Sequence, residues 1–389
     1  MRMPSQRDWV LVLACLGCQI GMGAGGYIFP VFLKPVTDDI GWSRTAYALA
    51  NPIMSTSVAL VGPLVGWLAD RRGPRPVLVA GSLLMSGALV AAGQMQTTGQ
   101  FYAVALAVGV AVACLGDLPT GAAIAGRFRD GRGLALGMVY IGSNIGGTLV
   151  PLVGMALASG TSWRTAFTGI GGVLWIFLLP LALSVGRPRR PAPEAGDDEA
   201  AFNWREAFRQ RDFWLLFWVL FAFYLYRLGL NTHLVAFLSD LGYSQLGAAG
   251  GFSLMLALGI AGKLLAGALA DRLGARPAVI GNFTVIAVAS LLLLVPQVPG
   301  AMVAFLVLHG FATAAEDVVV PLIVAQRFGS QHLGRVYGLL LLALVPGGAI
   351  GPIVAGRVFD LTGSYTPVFV AFALANCTAV AALALVRRN

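Results

Sequence analysis

Five charged residues stand inside long apolar stretches of this sequence, namely Asp117, Arg227, Lys263, Glu316 and Asp317. An ionisable side chain within a membrane-spanning helix costs on the order of 3 kcal/mol, so such residues indicate a function by default. A Lys or Arg there can bind a carboxylate, and a carboxyl group without a charged partner can take up and release protons. The residue types therefore suit the binding of a small anion and the transfer of protons.

These charged residues lie at a similar predicted depth. Asp117 and Asp317 each precede an arginine by ten residues, which at the rise of an α-helix places both about 15 Å from the end of the span. That is the middle of a hydrocarbon core about 30 Å thick. Lys263 and Arg227 fall into the same broad layer, where secondary transporters hold their substrates.

The pairing of these charges stays open at the level of the sequence. Arg227 is the expected partner of Asp317 or Glu316, whereas Asp117 has no basic residue inside a span of its own half. Asp117 therefore either meets Arg227 or Lys263 across a cavity, or stays protonated. The alternative for the acidic residues is a structural role, in which they join helices by hydrogen bonds.

His309, Thr313 and Glu316 follow one another at helical spacing and fall on one face of their span. That face could carry protons or polar groups of a substrate, and we predict a role in proton coupling for His309. The alternative is that the same side chains hold neighbouring helices together by hydrogen bonds.

Twelve apolar stretches are long enough to cross a bilayer as helices. They are predicted at residues 9–34, 44–69, 76–96, 99–126, 133–158, 165–186, 212–238, 245–270, 277–296, 299–326, 334–358 and 365–386. Twenty of the 26 basic residues lie on the side of the two termini and four on the opposite side. By the positive-inside rule both termini and the central loop are cytoplasmic. The sequence thus predicts an all-α, multi-pass protein of the cell inner membrane.

The composition supports this class and excludes others. Hydrophobic residues make up 58% of the chain and charged residues 11%, against about 25% charged residues in soluble domains. The net charge of +9 follows from the topology of the loops and gives no reason to expect nucleic-acid binding. The four cysteines lie in apolar stretches without metal-ligand spacing, and no phosphate loop or nucleophile arrangement stands outside the spans. We expect no metal, no cofactor and no enzymatic activity.

A charged turn occurs twice, with its two copies 201 residues apart. Residues 66–76 read Gly-Trp-Leu-Ala-Asp-Arg-Arg-Gly-Pro-Arg-Pro, and residues 267–277 read Gly-Ala-Leu-Ala-Asp-Arg-Leu-Gly-Ala-Arg-Pro. Several other landmarks keep this offset to within one residue. The repetition predicts two six-helix halves, residues 1–186 and 212–389, joined by a polar cytoplasmic linker at 187–211.

The paired turns, in twelve spans with a central cytoplasmic loop, resemble those of the major facilitator superfamily over essentially the whole chain. Two further stretches resemble the monocarboxylate and oxalate/formate transporters of that superfamily. They are Tyr27-Ile28-Phe29-Pro30-Val31-Phe32 with Gly41-Trp42-Ser43-Arg44, and Gly142-Ser143-Asn144-Ile145-Gly146-Gly147 with Pro151. The resemblance implies a two-bundle fold in which the first, fourth, seventh and tenth spans line a central cavity that opens to one side at a time.

The resemblance also implies that the two charged turns belong to a cytoplasmic gate that links neighbouring helices. The residues predicted for this gate are Asp70, Arg71, Arg75, Asp271, Arg272 and Arg276. The alternative is that these charges only mark the cytoplasmic side. That alternative explains the arginines but not an acid at the same place in both copies.

Lys263 breaks the internal symmetry, since its counterpart in the first half is Gly62. The resemblance implies that the basic residue at this place, eight residues before the aspartate of the turn, binds the carboxylate of the substrate. Two features differ from the family: Lys replaces the more usual Arg and so lacks a bidentate contact with a carboxylate, and Gly259 stands where the family has a carboxylate. The alternative is that Lys263 reaches the cytoplasmic surface or contacts a neighbouring helix.

Together these features predict a secondary transporter of a small organic anion, with a monocarboxylate as first choice, coupled to protons. The predicted substrate contacts are Lys263, Arg227, Tyr27, Tyr224 and Tyr140. The predicted proton sites are Asp117, Glu316, Asp317 and His309. We expect a monomer in the lipid bilayer. The alternatives are a proton-driven exporter of lipophilic or cationic compounds that uses Asp117, and a membrane receptor with the same fold but without transport.

Overall fold

A computed structural model describes residues 6–125, 127–128, 132–186, 208–328 and 333–387. Within these ranges the chain is almost entirely α-helical and has no β-strand. The helices of the first half are α1 (Gln6–Ile40), α2 (Arg44–Ala48), α3 (Ala50–Arg72), α4 (Pro74–Ala92), α5 (Thr98–Leu115), α6 (Asp117–Ala125), α7 (Arg132–Gly160) and α8 (Trp163–Ser184). Those of the second half are α9 (Arg211–Asp240), α10 (Gln245–Leu273), α11 (Ala275–Leu292), α12 (Ala301–Phe328), α13 (Leu333–Leu340), α14 (Leu344–Thr362) and α15 (Thr366–Leu385). Most of the predicted linker, residues 187–207, lies outside the described ranges.

Twelve stretches of these helices are long and apolar enough to cross a membrane. This confirms the predicted number of spans and the all-α membrane fold class. Large apolar side chains such as Leu60, Ile176 and Leu264 are mostly exposed, which is the arrangement expected of side chains that face lipid.

Three predicted spans are interrupted rather than continuous. The second span breaks after Ala48, because Pro52 lacks the N–H that would bond to the Ala48 carbonyl. The fourth span breaks at Gly116, whose backbone is extended, with φ −78° and ψ −158°. The eleventh span contains a 3-10 turn at Leu341–Ala343, just before Pro346, which also lacks an N–H group.

The repeated turns have the same backbone conformation in both halves. Gly73 and Gly274 have φ values of 84° and 86°, and each separates two helices. Gly41 and Gly242, at the other ends of their spans, have φ values of 79° and 94°. Residues with a Cβ adopt such values only at a cost, so glycine ends these helices. Each pair is 201 residues apart, and the internal repeat therefore extends to the backbone.

The helices pack in the same pairs in both halves. α1 packs on α7 and α4 on α8, and the equivalent pairs are α9 on α14 and α11 on α15. A Cβ at Gly146 would overlap the carbonyl oxygen of Ile20, and a Cβ at Gly347 would lie 2.9 Å from the carbonyl oxygen of Phe221. Small residues permit this close approach of two helices in lipid, and both contacts keep the repeat offset.

The contacts divide the chain into two compact units. Unit 1 consists of Met1–Trp42, Leu49–Ala195 and Ser244–Ser253. Unit 2 consists of Ser43–Ala48, Gly196–Tyr243 and Leu254–Asn389. Most of each unit thus comes from one half of the sequence, and one short segment of each half belongs to the unit of the other half.

Candidate functional site

An ion pair between Lys263 of α10 and Asp317 of α12 is the central feature of unit 2. Nζ of Lys263 lies 2.8 Å from Oδ2 of Asp317, and the two side chains are 36% and 46% exposed. The pair is therefore not sealed inside the helices. A cation that is held by one carboxylate and remains accessible can exchange it for another carboxylate.

Glycines bring α10 against α12 at this level. A Cβ at Gly262 would overlap the carbonyl oxygen of Phe311, and a Cβ at Gly259 would lie 2.7 Å from Cβ of Ala314. The close approach of the two backbones places Lys263, the residue after Gly262, within reach of its carboxylate partner. Gly259 has a packing role here, at the position where the monocarboxylate transporters that the sequence resembles have a carboxylate.

Glu316 adjoins Asp317 in the chain but points into the helix bundle. Its side chain is fully buried, and neither of its carboxylate oxygens has a hydrogen-bond partner among the described residues. Buried polar atoms normally have such a partner. Of the two neighbouring acids, Glu316 is therefore the one whose charge is less compensated.

Arg227 of α9 lies near the same two acids. Its side chain is half-buried, and its guanidinium carbon lies 5.6 Å from the centroid of the Phe223 ring. It interacts electrostatically with Glu316 and Asp317. The structure thus brings Arg227 to the acids that the sequence suggested as its partners, while the direct ion pair of Asp317 is with Lys263.

Two tyrosines are close enough to Glu316 to interact with its charge, namely Tyr224 of α9 and Tyr337 of α13. Tyr224 was predicted as a substrate contact and is buried. Tyr337 was missed, because an uncharged tyrosine in an apolar stretch carries no signal that distinguishes it from a packing residue.

His309 is fully buried and lies on the same helix as Glu316. Its Nδ1 lies 2.6 Å from the hydroxyl oxygen of Tyr226, and its Nε2 has no hydrogen-bond partner in the described part of the chain. The hydroxyl of Thr313 donates to the backbone carbonyl of His309 at 2.7 Å. The polar face predicted for this span is therefore a buried one, and its role in proton coupling stays a prediction.

Asp117 begins α6, directly after the helix break at Gly116. Nε2 of Gln19 donates to Oδ1 of Asp117 at 2.8 Å and to the hydroxyl oxygen of Thr120 at 3.1 Å. Gln19 is fully buried, whereas Asp117 is exposed. A neutral amide in unit 1 is thus a partner of Asp117, where the sequence predicted a basic residue or no charged partner. A glutamine inside an apolar stretch is the signal that could have found it.

The two other predicted aromatic contacts belong to unit 1 and are half-buried. The ring of Tyr27 lies against α7, where a Cβ at Gly147 would come within 2.6 Å of it. The hydroxyl of Tyr140 donates to the backbone carbonyl of Asp117 at 3.4 Å. The structure therefore places Tyr140 beside a predicted proton site.

The arginines of the first copy of the charged turn are exposed. The guanidinium carbon of Arg71 lies 4.7 Å from the centroid of the Trp67 ring, and Arg75 is exposed. The side chain of Asp70 lies outside the described part of the structure.

The second copy links two helices through a backbone group. Nη2 of Arg276 donates to the carbonyl oxygen of Ala384 near the end of α15, at 2.8 Å. Asp271 and Arg272 are exposed, and among the described residues Asp271 makes no ion pair. The role of both turns in a gate stays a prediction.

Each unit also contains an ion pair that the sequence did not reveal. Nε of Arg127 lies 2.6 Å from Oδ1 of Asp8 in unit 1. In unit 2, Arg327 pairs with Asp212, which is only 2% exposed. The partners are more than a hundred residues apart, so hydropathy and spacing gave no signal. Within the described ranges, no group of three or more His, Cys, Asp or Glu side chains could hold a metal ion.

Comparison with known proteins gives matches over almost the whole length. The sequence profile of the Major Facilitator Superfamily matches residues 15–265 and 251–389. Monocarboxylate transporter 13 of Rattus norvegicus is 30% identical, over 81% of this chain and 74% of that protein. The probable sulfoacetate transporter SauU of Cupriavidus necator is 25% identical, over 90% of this chain and 86% of that protein. The uncharacterised MFS-type transporter YcxA of Bacillus subtilis is 24% identical, over 94% and 91% of the two chains.

Solved transporter structures have the same fold. The nucleoside transporter NupG superposes with a TM-score of 0.79 at 15% identity, over 97% of this chain and all of that one. A bacterial homologue of the human lysosomal transporter Spinster, in an inward-facing conformation, superposes with a TM-score of 0.73 at 18% identity, over 98% and 95% of the two chains. Since the superfamily profile also covers nearly every span, the chain belongs to the major facilitator superfamily.

Proposed function

We propose that this transporter carries a small organic anion together with a proton, with a monocarboxylate as first choice. The observation that carries the proposal is the accessible ion pair of Lys263 with Asp317 in the middle of the spans. The first half has Gly62 in the place of Lys263. A charge that is placed in one repeat only, at an energetic cost, is explained by substrate binding and not by packing common to both halves.

In the proposed cycle, Asp317 and the carboxylate of the substrate compete for Lys263. Protonation of Asp317 removes its charge–charge attraction to the ammonium group, and the substrate carboxylate can then take its place at Nζ. When the proton leaves on the other side of the membrane, Asp317 pairs with Lys263 again and the substrate is released. The binding of proton and anion is thereby mutually dependent.

Two further side chains of unit 2 support the same assignment. Arg227 adds a second positive charge near the acidic pair, which favours an anion over a neutral sugar. Glu316, buried without a hydrogen-bond partner among the described residues, is the second carboxyl group that could hold the proton. We place the proton on Glu316 or Asp317 in preference to Asp117, because these two acids adjoin the proposed anion site.

The names of two similar proteins agree with an anionic substrate. One is a monocarboxylate transporter and the other a probable sulfoacetate transporter, and both kinds of solute contain a carboxylate. A single ammonium group such as that of Lys263 can bind a carboxylate as a point charge, without the fixed bidentate geometry that arginine imposes.

Purified protein in proteoliposomes tests the proposal. A panel of labelled monocarboxylates, with an organic cation as control, is offered under an imposed proton gradient. We expect one acid to accumulate when the outside is acidic, and a protonophore to abolish this accumulation. Equal uptake with and without the gradient would overturn the proton coupling, and a panel without any transported acid would overturn the choice of substrate.

An exporter of cations is the second candidate, because Asp117 is exposed at a helix break in unit 1. Two variants separate the candidates. If the protein carries the acid, Lys263→Ala should abolish its uptake. If the protein exports a cation, Lys263→Ala should leave export intact and Asp117→Asn should abolish it. A receptor without transport would move neither solute in any of these preparations.

We further propose a monomer in a bacterial-type inner membrane. The distribution of basic residues supports an orientation with both termini in the cytoplasm. Reporter enzymes that are active on only one side of the membrane, fused to the C-terminus and to the loop after α1, test this orientation. The C-terminal fusion should be active only with a cytoplasmic reporter, and the loop fusion only with a periplasmic one. The opposite pattern would overturn the proposed orientation.

A further inference from the structure

The start of the second span makes several polar contacts with other residues of unit 2. Nη1 of Arg44 lies 2.7 Å from Oδ2 of Asp240 and donates to the hydroxyl oxygen of Tyr365, also at 2.7 Å. The guanidinium carbon lies 3.7 Å from the centroid of the Phe359 ring. Arg44 is only 8% exposed, so its charge depends on these partners.

The backbone of the same segment is held as well. Asp360 of α14 accepts hydrogen bonds from the backbone N–H groups of Arg44 and Thr45, at 3.0 and 2.9 Å, and from the Thr45 hydroxyl. One turn earlier in α14, a Cβ at Gly356 would lie 2.9 Å from Cα of Thr45. Gly356 thus leaves room for α2, and Asp360 caps its N-terminus.

His233 of α9 orients Tyr365 within this network. Its Nε2 lies 3.0 Å from the carbonyl oxygen of Pro352, which can only accept, so this nitrogen carries the hydrogen. Nδ1 of the neutral ring is then the acceptor for the hydroxyl of Tyr365, at 2.9 Å. The Tyr365 oxygen therefore has a lone pair available for Arg44.

The internal repeat shows no equivalent of this arrangement among the residues of unit 1 that the structure describes. There, Asp39 pairs with Arg164 at 2.5 Å, and both residues belong to the first half. Their counterparts 201 residues later are Asp240 and Tyr365. The second half thus keeps the acid but has lost the base, and Arg44 of the first half supplies the missing positive charge.

Residues Ser43–Ala48, here called the latch segment, are separated from the rest of their span. α2 ends at Ala48 and α3 begins at Ala50, because Pro52 cannot bond to the Ala48 carbonyl. The latch segment belongs to unit 2, whereas Leu49–Ala195 belongs to unit 1. The helix is therefore interrupted where the chain passes from one unit to the other.

We propose that the latch segment is a releasable fastening of the transport cycle. In one state Arg44 is bound to Asp240, Tyr365 and Asp360, and in the other state it has left them. The helix break lets the segment move without unfolding the rest of the span. Since the cation comes from the other half of the chain, the charge balance of Asp240 depends on where the segment lies. The inference rests on transport by alternating access but not on the identity of the solute.

The reactivity of a cysteine in place of Ala48, which is fully buried, tests the proposal. The measurement is the rate of labelling by a membrane-impermeant maleimide from the side of Arg44, with the chain that lacks this cysteine as background. Arg44→Gln and Asp240→Asn should raise the rate about tenfold or more. Each variant leaves a mostly buried charge without its ion-pair partner, which should lower the ratio of bound to released latch segment by more than a factor of ten. Arg164→Gln and Asp39→Asn break the equivalent pair of unit 1 and should leave the rate within about twofold.

A variant that leaves all charges in place guards against misfolding of the Arg44 variant. Gly356→Ala pushes a methyl group against Thr45 and should also raise the labelling rate, while Gly281→Ala, where an added Cβ meets no atom within 4 Å, should not. Unchanged labelling in both Arg44→Gln and Gly356→Ala would overturn the proposal, as would an equal rise in Arg164→Gln. Because the readout needs no solute, a failed search for a transported acid leaves it unaffected.

Discussion

Replacement of Lys263 by Met separates a role in substrate binding from a role in stability. Met has a side chain of similar length but no charge, so the packing of α10 on α12 is retained. Both partners of the ion pair are more than a third exposed, at 36% and 46%. The pair therefore contributes at most about 1 kcal/mol to the free energy of unfolding, and we expect the melting temperature to fall by no more than about 4 °C.

The effect on binding should be much larger. Removal of the charged partner of a bound carboxylate costs about 2–5 kcal/mol. The affinity for the acid should therefore fall by a factor between about thirty and several thousand. Lys263→Arg, which keeps the charge, should retain binding within about tenfold.

The measurement is ligand-induced thermal stabilisation of the purified protein over a range of acid concentrations. Asp317→Asn is the complementary variant, because it removes the carboxylate that competes for Lys263. We expect this variant to bind the acid more tightly and with a weaker dependence on pH. A Met variant that binds the acid within about threefold of the native affinity would refute the assignment of Lys263.

Three further outcomes follow from individual contacts. Gly262→Ala should lower the free energy of unfolding by about 1–3 kcal/mol, because the added methyl group meets the backbone of α12. Gly62→Ala is the control: its methyl group would face open space, and the loss should stay within about 0.5 kcal/mol. Equal losses in thermal unfolding of the two variants would contradict the packing account. Asp212→Asn should lower the free energy of unfolding by about 3 kcal/mol or more, because Arg327 then loses a nearly buried carboxylate partner. Asp8→Asn, in the more exposed pair, should cost at most about 1 kcal/mol in the same unfolding transition. A loss in the Asp212 variant no larger than that in the Asp8 variant would count against this reasoning. Asp317→Asn should also stop proton-driven accumulation of the acid but preserve the exchange of labelled for unlabelled acid, and unaltered accumulation would move the proton to another carboxyl group such as Glu316.

The membrane fold could be predicted from the sequence because its signals are local and periodic. Long apolar stretches determine where helices cross the membrane, and the recurrence of the charged turn after 201 residues indicates the duplication. The sequence also indicates where these helices end, because the turns between them contain glycine. Gly73 and Gly274 have positive φ values, which few other residue types adopt. The breaks within the second and fourth spans were not predicted, although Pro52 and Pro119 each lack the N–H group that would bond to the carbonyl four residues earlier.

The depth of the site in the membrane could be predicted from the sequence, but the contacts between its side chains could not. Counting residues along a helix gives the level of Lys263 and Asp317, but which charges touch depends on how each helix is rotated and how closely it approaches its neighbour. The close approach at Gly262 decides that Asp317 pairs with Lys263, and it becomes visible only in three dimensions. The partner of Asp117 was missed for another reason: Gln19 is neutral, whereas a basic residue was the expected partner of the carboxylate.

Arg44 illustrates the same limit at the other end of the spans. The sequence places it among four basic residues on the side opposite the termini, and nothing in the sequence distinguishes it from an ordinary basic residue of a loop. Its contacts with Asp240 and Asp360, which lie about 200 and more than 300 residues away, depend on the tertiary fold alone.

Simultaneous recording of anion and proton uptake tests the central claim most directly. Proteoliposomes with a trapped pH-sensitive dye and a clamped membrane potential receive the labelled acid at equal pH on both sides, and protein-free liposomes correct for diffusion of the undissociated acid. We predict that the interior acidifies in step with uptake of the label in the native protein, and that Lys263→Met abolishes both signals. Uptake without acidification, or unchanged acidification in the Met variant, would contradict a proton-coupled anion transporter that binds its substrate at Lys263.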